Sequence, residues 1–387
     1  MLGGITATIL IGLPPVPAPL PLMNALQRIE IDSSTEVASV FRLRFGMSQS
    51  LGLDWDLLQP EYTDLIFRPF TPVQIRVKVG IEIPEAIING YITGQQVNYS
   101  DPEGGSVLEV SGMDATMLMN LTEKVMPWPV MPDSEIAAAI FAQYAIVPQI
   151  VPTLPVLVEP EGTTTQRGTD IRFLRRLAQR NGFDCYVQPQ PQSGVDIGHF
   201  GPPTNFPGPP SAVLSVQMGE ETNVADFRIR YDMARPTTAI ASGLDVKTRA
   251  PFVFPALVPA SLTGGLYPLG TPMGLEDSVL RSFGPQAQPL VLPAETGQFM
   301  PPGLPSAAQA IVNESSWAVV AEGTVGPEVG ILHPGGTVNV RGIGIAFNGS
   351  YYVTRVSHTI DYSSYVMKFE AKRNAVTMTG TEIFVTI

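Results

Sequence analysis

The sequence predicts a mainly β chain: two related small β-barrels or sandwiches with a small α/β domain between them. Three observations carry this. Long stretches alternate apolar and polar residues with period two. A middle stretch changes to the spacing of amphipathic helices. The stretch that begins at Pro72 and the one that begins at Gly336 share the same order of elements.

The apolar run Ile5 to Leu22 is interrupted by Pro14, Pro15, Pro17, Pro19 and Pro21, which forbid a continuous helix. No Lys or Arg precedes it, so the basic start of a signal peptide is missing. It reads as a strand, Ile5 to Ile11, followed by an extended Pro-rich arm. Strands follow at Ala25 to Ile31 and Ser39 to Phe45, and at Val73 to Val79, where Val73, Ile75, Val77 and Val79 alternate with Gln74, Arg76 and Lys78. Asn89-Gly90 reads as a hairpin turn, with strands Tyr91 to Tyr99 and Val107 to Ser111 flanking a turn at Asp101 to Gly105.

Over 115–190 the period changes. Asp133 or Ser134 is placed to cap a helix with apolar positions Ile136, Ile140, Phe141 and Tyr144, ended by Pro148. A strand broken by prolines is expected at Val151 to Val158. A second helix runs from Thr169-Asp170 to Asn181-Gly182, with Ile171, Leu174, Leu177 and Ala178 facing inward, and a short strand follows at Cys185 to Val187. Residues 188–210 and 250–305 are rich in Pro and Gly and read as loops, the second one unusually long. Strands resume at Phe227 to Tyr231, Thr238 to Leu244, Trp317 to Thr324, Thr337 to Arg341, Tyr351 to Ile360 and Tyr365 to Lys372, with a short helix at Ser306 to Glu314. The expected domains are 1–114, a first β-barrel; 115–225, an α/β domain with the loop 188–210; and 226–387, a second β-barrel with the insertion 250–305.

The repeat aligns Pro72 to Val77 with Gly336 to Arg341. Asn89-Gly90 then matches Asn348-Gly349, and Tyr91-Ile92-Thr93 matches Tyr352-Val353-Thr354. Val97-Asn98-Tyr99-Ser100 matches Ile360-Asp361-Tyr362-Ser363, and an alternating strand closes each copy. The central strand is two residues longer in the second copy, which keeps the side-chain phase. This points to two separate duplicated units.

Three stretches resemble the late control protein D family, the hub proteins of contractile phage tails and related injection machines. They are Val37 to Leu43 with Val110 to Asp114; Gln166 with Asp170 to Ala178 and Asn181-Gly182-Phe183; and His333-Pro334-Gly335, Val340-Arg341-Gly342, Tyr352 to His358 and Phe369 to Asn374. The chain is also similar to the hub part of type VI spike proteins. The resemblance implies two tube-like barrels flanking an α/β domain, assembled as a homotrimer that joins a six-fold inner tube to a three-fold spike. It implies as partners the inner tube protein, tube-initiating subunits, a spike and other baseplate components, and assembly in the bacterial cytoplasm as part of a phage-tail-like particle. The sequence stops at Ile387, soon after Asn374, so the spike is expected on a separate chain.

Composition agrees with burial against neighbours. Charged residues make up only 15%, whereas a typical chain has about 25%. Lys and Arg total 23 against 35 Asp and Glu, a net charge of −12, which argues against a nucleic-acid partner. The Arg cluster Arg167, Arg172, Arg175, Arg176 and Arg180 reads as paired with acidic neighbours. No direct membrane span is expected. Cys185 is the single cysteine and reads as a buried thiol; no disulfide within the chain is open to it. His199, His333 and His358 lack metal-ligand spacing, and no nucleotide loop or nucleophile elbow occurs. No catalytic, cofactor or metal site is therefore expected. Two alternatives are weighed: a tail-borne cell-wall hydrolase, for which Asp54 and Asp56 are the loose candidates, and a module tethering cargo or an anchor through 250–305.

Overall fold

The fold is that of a computed structural model, which describes residues 4–50, 54–100, 105–153, 163–203, 210–232, 235, 238–244, 250–256, 260, 267–268, 290–291, 303–378, 380, 382 and 384. It is mainly β with an α/β insert, as the sequence predicts.

Strand β1 (Ile5–Ile11) forms where expected. The Pro-rich arm is not wholly extended, because helix α1 (Leu20–Ala25) closes it with Pro21 in its first turn, where proline costs no hydrogen bond, and buries Leu22. Five strands follow: β2 (Leu26–Ser34), β3 (Val40–Met47), β4 (Pro72–Val79), β5 (Glu85–Asn98) and β6 (Ser106–Met113). Their buried faces carry the alternating residues, for example Ile29, Ile31, Phe41, Leu43, Val73, Ile75 and Val77. Asn89-Gly90 is not a turn. It lies inside β5, and the β4–β5 turn begins at Gly80, whose φ is +57°. Gly90 is needed for close packing instead: a Cβ there would stand 2.9 Å from the Phe41 ring and 2.6 Å from the Met113 carbonyl oxygen.

The middle of the chain comprises β7 (Glu123–Pro129), α2 (Asp133–Gln143), β8 (Val147–Ile150), β9 (Thr163–Thr169), α3 (Asp170–Asn181), β10 (Asp184–Pro189) and β11 (Asp196–Gly201). β7 pairs antiparallel with β9; β11 runs parallel to β8 and antiparallel to β10. Neither Asp133 nor Ser134 caps α2: the Asp133 carboxylate takes Arg180 and Asn181, and the Ser134 hydroxyl pairs with Thr153. The helix stops at Tyr144, before Pro148, which sits in β8. Of the expected strand Val151 to Val158, residues 154–158 lie outside the described residues. α3 ends at Gly182, left-handed at φ 67° and ψ 34°, as a C-terminal glycine should.

The stretch 188–210 is not all loop, since it supplies the end of β10 and all of β11. The period-two signal of β11 is masked by Gly198, which lies so close to the Phe141 ring that a Cβ would stand 2.6 Å from it.

The last part has β12 (Ala212–Ser215), β13 (Val224–Tyr231), β14 (Thr238–Leu244), β15 (Pro251–Ala256), α4 (Gly303–Ser316), β16 (Val319–Val325), β17 (Thr337–Arg341), β18 (Gly349–Asp361) and β19 (Tyr365–Arg373). β12, read by sequence within 115–225, pairs in parallel with β17. The expected loop 250–305 begins with a strand: β15 forms a ladder with β14, and its prolines Pro251 and Pro255 are tolerated because it is an edge. Ala239 of β14 and Ala256 of β15 bury against Ala308 and Val312 of α4.

The two five-strand units share one topology. The first is ordered β2-β3-β6-β5-β4 and the second β13-β16-β19-β18-β17, so the first two strands pair and the remaining three return beside them in reverse. Two irregularities also coincide. Phe45 pairs Leu26 and Arg44 pairs Arg28, skipping one residue; Val325 pairs Val224 and Thr324 pairs Asp226 with the same skip. Thr93 is passed over between Ile92 and Gly94 of β5, and Thr354 between Val353 and Arg355 of β18. A bulge is a local commitment of the chain, and two at matching positions are strong support for duplication.

The register corrects the sequence alignment. Tyr91 pairs Met113 and Tyr352 pairs Lys372, so Tyr91 and Tyr352 match, whereas Asn89-Gly90 corresponds to Ser350-Tyr351 and not to Asn348-Gly349. The units are also not separate. β2 pairs antiparallel with β18, from Arg28↔Asp361 to Ser34↔Arg355, and both units belong to a single 13-stranded sheet over one continuous core. What differs is the first hairpin. Thr35 to Ser39 connects β2 and β3, whereas β14, β15 and α4 are inserted between β13 and β16, closed at the neck by an Asp232 amide to Ala318 carbonyl bond of 2.9 Å.

Candidate functional site

Several of the residues singled out for chemistry make contacts within the fold. Asp56 accepts hydrogen bonds from the Ser48 amide and hydroxyl and from the Leu57 amide, a turn-forming role. Cys185 is buried, and burial pushes its thiol up to about 12. His199 stacks on Tyr186 with centroids 4.5 Å apart and meets Gln188 at 2.9 Å; burial pulls its pKa down to about 4. His358, held at 3.0 Å from the Tyr365 hydroxyl, falls to about 3 for the same reason. In the Arg cluster, Arg180 forks onto Asp133, Arg172 lies 3.9 Å from Glu123, and Arg176 donates to the Arg167 carbonyl. Among the described residues no three His, Cys, Asp or Glu side chains gather as metal ligands, and no helix is long and apolar enough to cross a membrane.

The polar residues that do converge lie where the two repeats and the middle domain meet. Asn89 of β5 donates to the Gly194 carbonyl at 2.7 Å and to Asp196 at 2.9 Å, and accepts from Gln74 at 2.8 Å. This ties the first repeat to β11. The Asp114 carboxylate, just after β6, accepts from the Ser39 amide at 2.6 Å and from the Thr116 amide at 2.9 Å. His333, in the second repeat, meets Glu85 of the first at 2.9 Å, and Tyr352 donates to Asp184 of β10 at 2.8 Å. Across the β2–β18 seam, Arg355 binds Asp32 through Nε at 2.6 Å.

Duplication put one position to two uses here. Met113 pairs Val40 and Lys372 pairs Val320, so the next residues, Asp114 and Arg373, are equivalent. Asp114 collects amides at the junction. Arg373 instead donates to the Phe347 and Asn348 carbonyls, each at 2.9 Å, and pins the β17–β18 turn. In sequence, Asn89, Asp114, His333, Tyr352, Arg355 and Arg373 are met as members of the repeat or of the stretches that carry the resemblance; their contacts and the equivalence of Asp114 and Arg373 appear only through the register.

Burial raises the carboxyl pKa of Asp114, Asp184 and Asp196, the last to about 6, with the Asp114 charge adding to it. For Asp196 the folded pKa lies above the unfolded one. Its contribution is therefore fully present below about pH 4 and is lost as pH rises through about 6. Asp196→Asn is expected to be more stable than the wild type at neutral pH by up to ~2–3 kcal/mol, with the gap closing towards pH 4. Urea unfolding of both proteins at several pH values reads this directly; a gap independent of pH would contradict it.

No protein-family model matches the chain, and no curated protein matches it. Solved structures do. The chain is similar to a tail protein from Neisseria meningitidis MC58, with TM-score 0.58 and 14% identity over 96% of this chain and 97% of that one. It is similar to the 43 kDa tail protein of prophage MuSo2 from Shewanella oneidensis, with TM-score 0.62 and 12% identity over 95% and 98%. It is also similar to the E. coli c3393 protein, with TM-score 0.53 and 12% identity over 90% and 74%. That protein is a component of the type VI secretion system with structural similarity to the T4 bacteriophage tail proteins gp27 and gp5. The likeness is one of fold, and it extends over nearly the whole chain: this is the architecture of phage tail and type VI secretion proteins, as the resemblance in sequence implied.

Proposed function

We propose that the chain is the central hub of a contractile, phage-tail-like injection machine, a homotrimeric adaptor between a six-fold inner tube and a three-fold spike. The observation that carries this reading is the duplicated five-strand unit, with its shared topology and matching bulges. Three chains present six such units around one axis, while the rest of each chain keeps three-fold symmetry. The continuous β2–β18 seam supports it, because it fixes the two units of a chain relative to each other. The fold likeness to a structure of a Francisella PdpA-VgrG complex, with TM-score 0.54 over 95% of this chain and 52% of that one, favours a spike as neighbour. The tube protein, tube-initiating subunits and other baseplate components complete the proposed partners, in a particle assembled in the bacterial cytoplasm. Native mass spectrometry of the chain co-expressed with its tube and spike neighbours tests the stoichiometry: three copies are expected, and a chain that stays monomeric would contradict it.

The adaptor role needs no catalysis, so we take the chain to be a structural protein. Purified protein is expected to leave peptidoglycan intact in turbidity and zymogram assays. Clearing that is lost in Asp54→Ala would instead revive the hydrolase reading.

A further inference from the structure

A small cavity of about 10 Å³, enough for one water-sized sphere, lies at the three-way junction. Its polar lining includes Ser33, Asn89, Asp114, Gln188, Asp196 and His333. Most of these groups have their partners. Asn89 is committed to Gln74, Gly194 and Asp196, and His333 to Glu85. Two atoms do not. The Ser33 hydroxyl, in a residue only 4% exposed, and the Gln188 side-chain oxygen are buried without a hydrogen-bond partner among the described residues. Gln188 uses its amide nitrogen on His199, so the oxygen is the atom left over.

The cavity is therefore rich in acceptors: two carboxylates, a hydroxyl and an amide oxygen. Asp114 accepts from the Ser39 amide and from the Thr116 amide and hydroxyl, and Asp196 from Asn89, but among the described residues neither carboxylate forms an ion pair with a Lys or Arg. A water molecule donates two hydrogen bonds and leaves that charge in place. A cation answers both deficits at once. An oxygen-only donor set suits a hard cation, and calcium, which tolerates varied geometry, is easier to place in a small protein cavity than magnesium, which demands an octahedron and keeps its waters.

The geometry points to a binding site for a hard divalent cation, calcium in preference to magnesium, between Asp114 and Asp196 with the Ser33 hydroxyl and the Gln188 oxygen as neutral ligands. Ser33 and Asp114 belong to the first repeat, Gln188 and Asp196 to β10 and β11 of the middle domain. The ion would lock one to the other. The site stands on the junction itself and is independent of the hub reading.

The test is calorimetric unfolding of the full chain, stripped with a chelator and then given calcium chloride or magnesium chloride in large excess. Calcium is expected to raise the wild-type midpoint by several degrees, and magnesium by less. Asp196→Asn, which keeps an acceptor but loses the charge, is expected to show no calcium shift while starting from a higher midpoint. Ser33→Ala removes one neutral ligand and folds without losing a hydrogen bond of its own. It is expected to weaken calcium binding roughly tenfold by isothermal titration. The proposal is overturned by an unshifted wild type with either cation, by a calcium shift of equal size in Asp196→Asn, or by unchanged affinity in Ser33→Ala.

Discussion

Leu174→Ala is expected to cost the protein ~2–5 kcal/mol of stability, the range for removing a large buried aliphatic group that leaves a cavity. Leu174 is fully buried on α3, in a cluster with Ile136, Ile140 and Phe141 of α2 and Phe200 of β11. The neighbourhood has little room to collapse. Gly198 sits under the Phe141 ring, and Gly182 lies where a Cβ would stand 3.2 Å from the Ala310 backbone of α4. Leu177, on the same face, should behave alike. Denaturant midpoints report the loss, with exposed Gln179→Ala as the control that should change little. A cost under ~1 kcal/mol at both leucines would mean that α3 does not bury this face in solution.

Arg373→Met carries the second large effect, ~3–5 kcal/mol, because it deletes a buried cation whose partners cannot turn to water. Arg373 is fully buried and lies over the Tyr351 ring at 5.4 Å. Its two terminal nitrogens reach three carbonyls, those of Phe347, Asn348 and Thr377. The thioether of Met replaces the volume but none of the donors. Arg373→Lys should recover only part of the loss, since an ammonium lacks the planar fork. Amide exchange resolves the cause: protection should fall first in the turn from Gly342 to Asn348, ahead of global unfolding. Uniform loss of protection would place the role of Arg373 in the core rather than in the turn.

Much of the fold was legible because its strands are half-buried, so that burial is written as period-two alternation. β1, β14 and β17 match their sequence bounds, and α3 runs between the expected cap and its glycine. The failures share a cause. Asn89-Gly90 looks like a turn by local chemistry, but Phe41, far off in sequence, needs the missing side chain and Asp196 needs the amide. β11 hides because Gly198 vacates space for Phe141. The β2–β18 seam leaves no local trace, since each of those strands also pairs on its other edge within its own repeat. The junction was illegible for the same reason: Asn89, Asp114, Asp196 and His333 acquire meaning only when distant segments meet.

In the proposed hub, the two units of each chain take equivalent places in a ring of six. Electron-microscopy class averages of the chain assembled with a tube protein would resolve that ring. Three chains are expected around one axis, with the β2-to-β6 unit and the β13-to-β19 unit alternating at six nearly equal angular positions. A ring built from one unit per chain, or an assembly with two-fold symmetry, would contradict it.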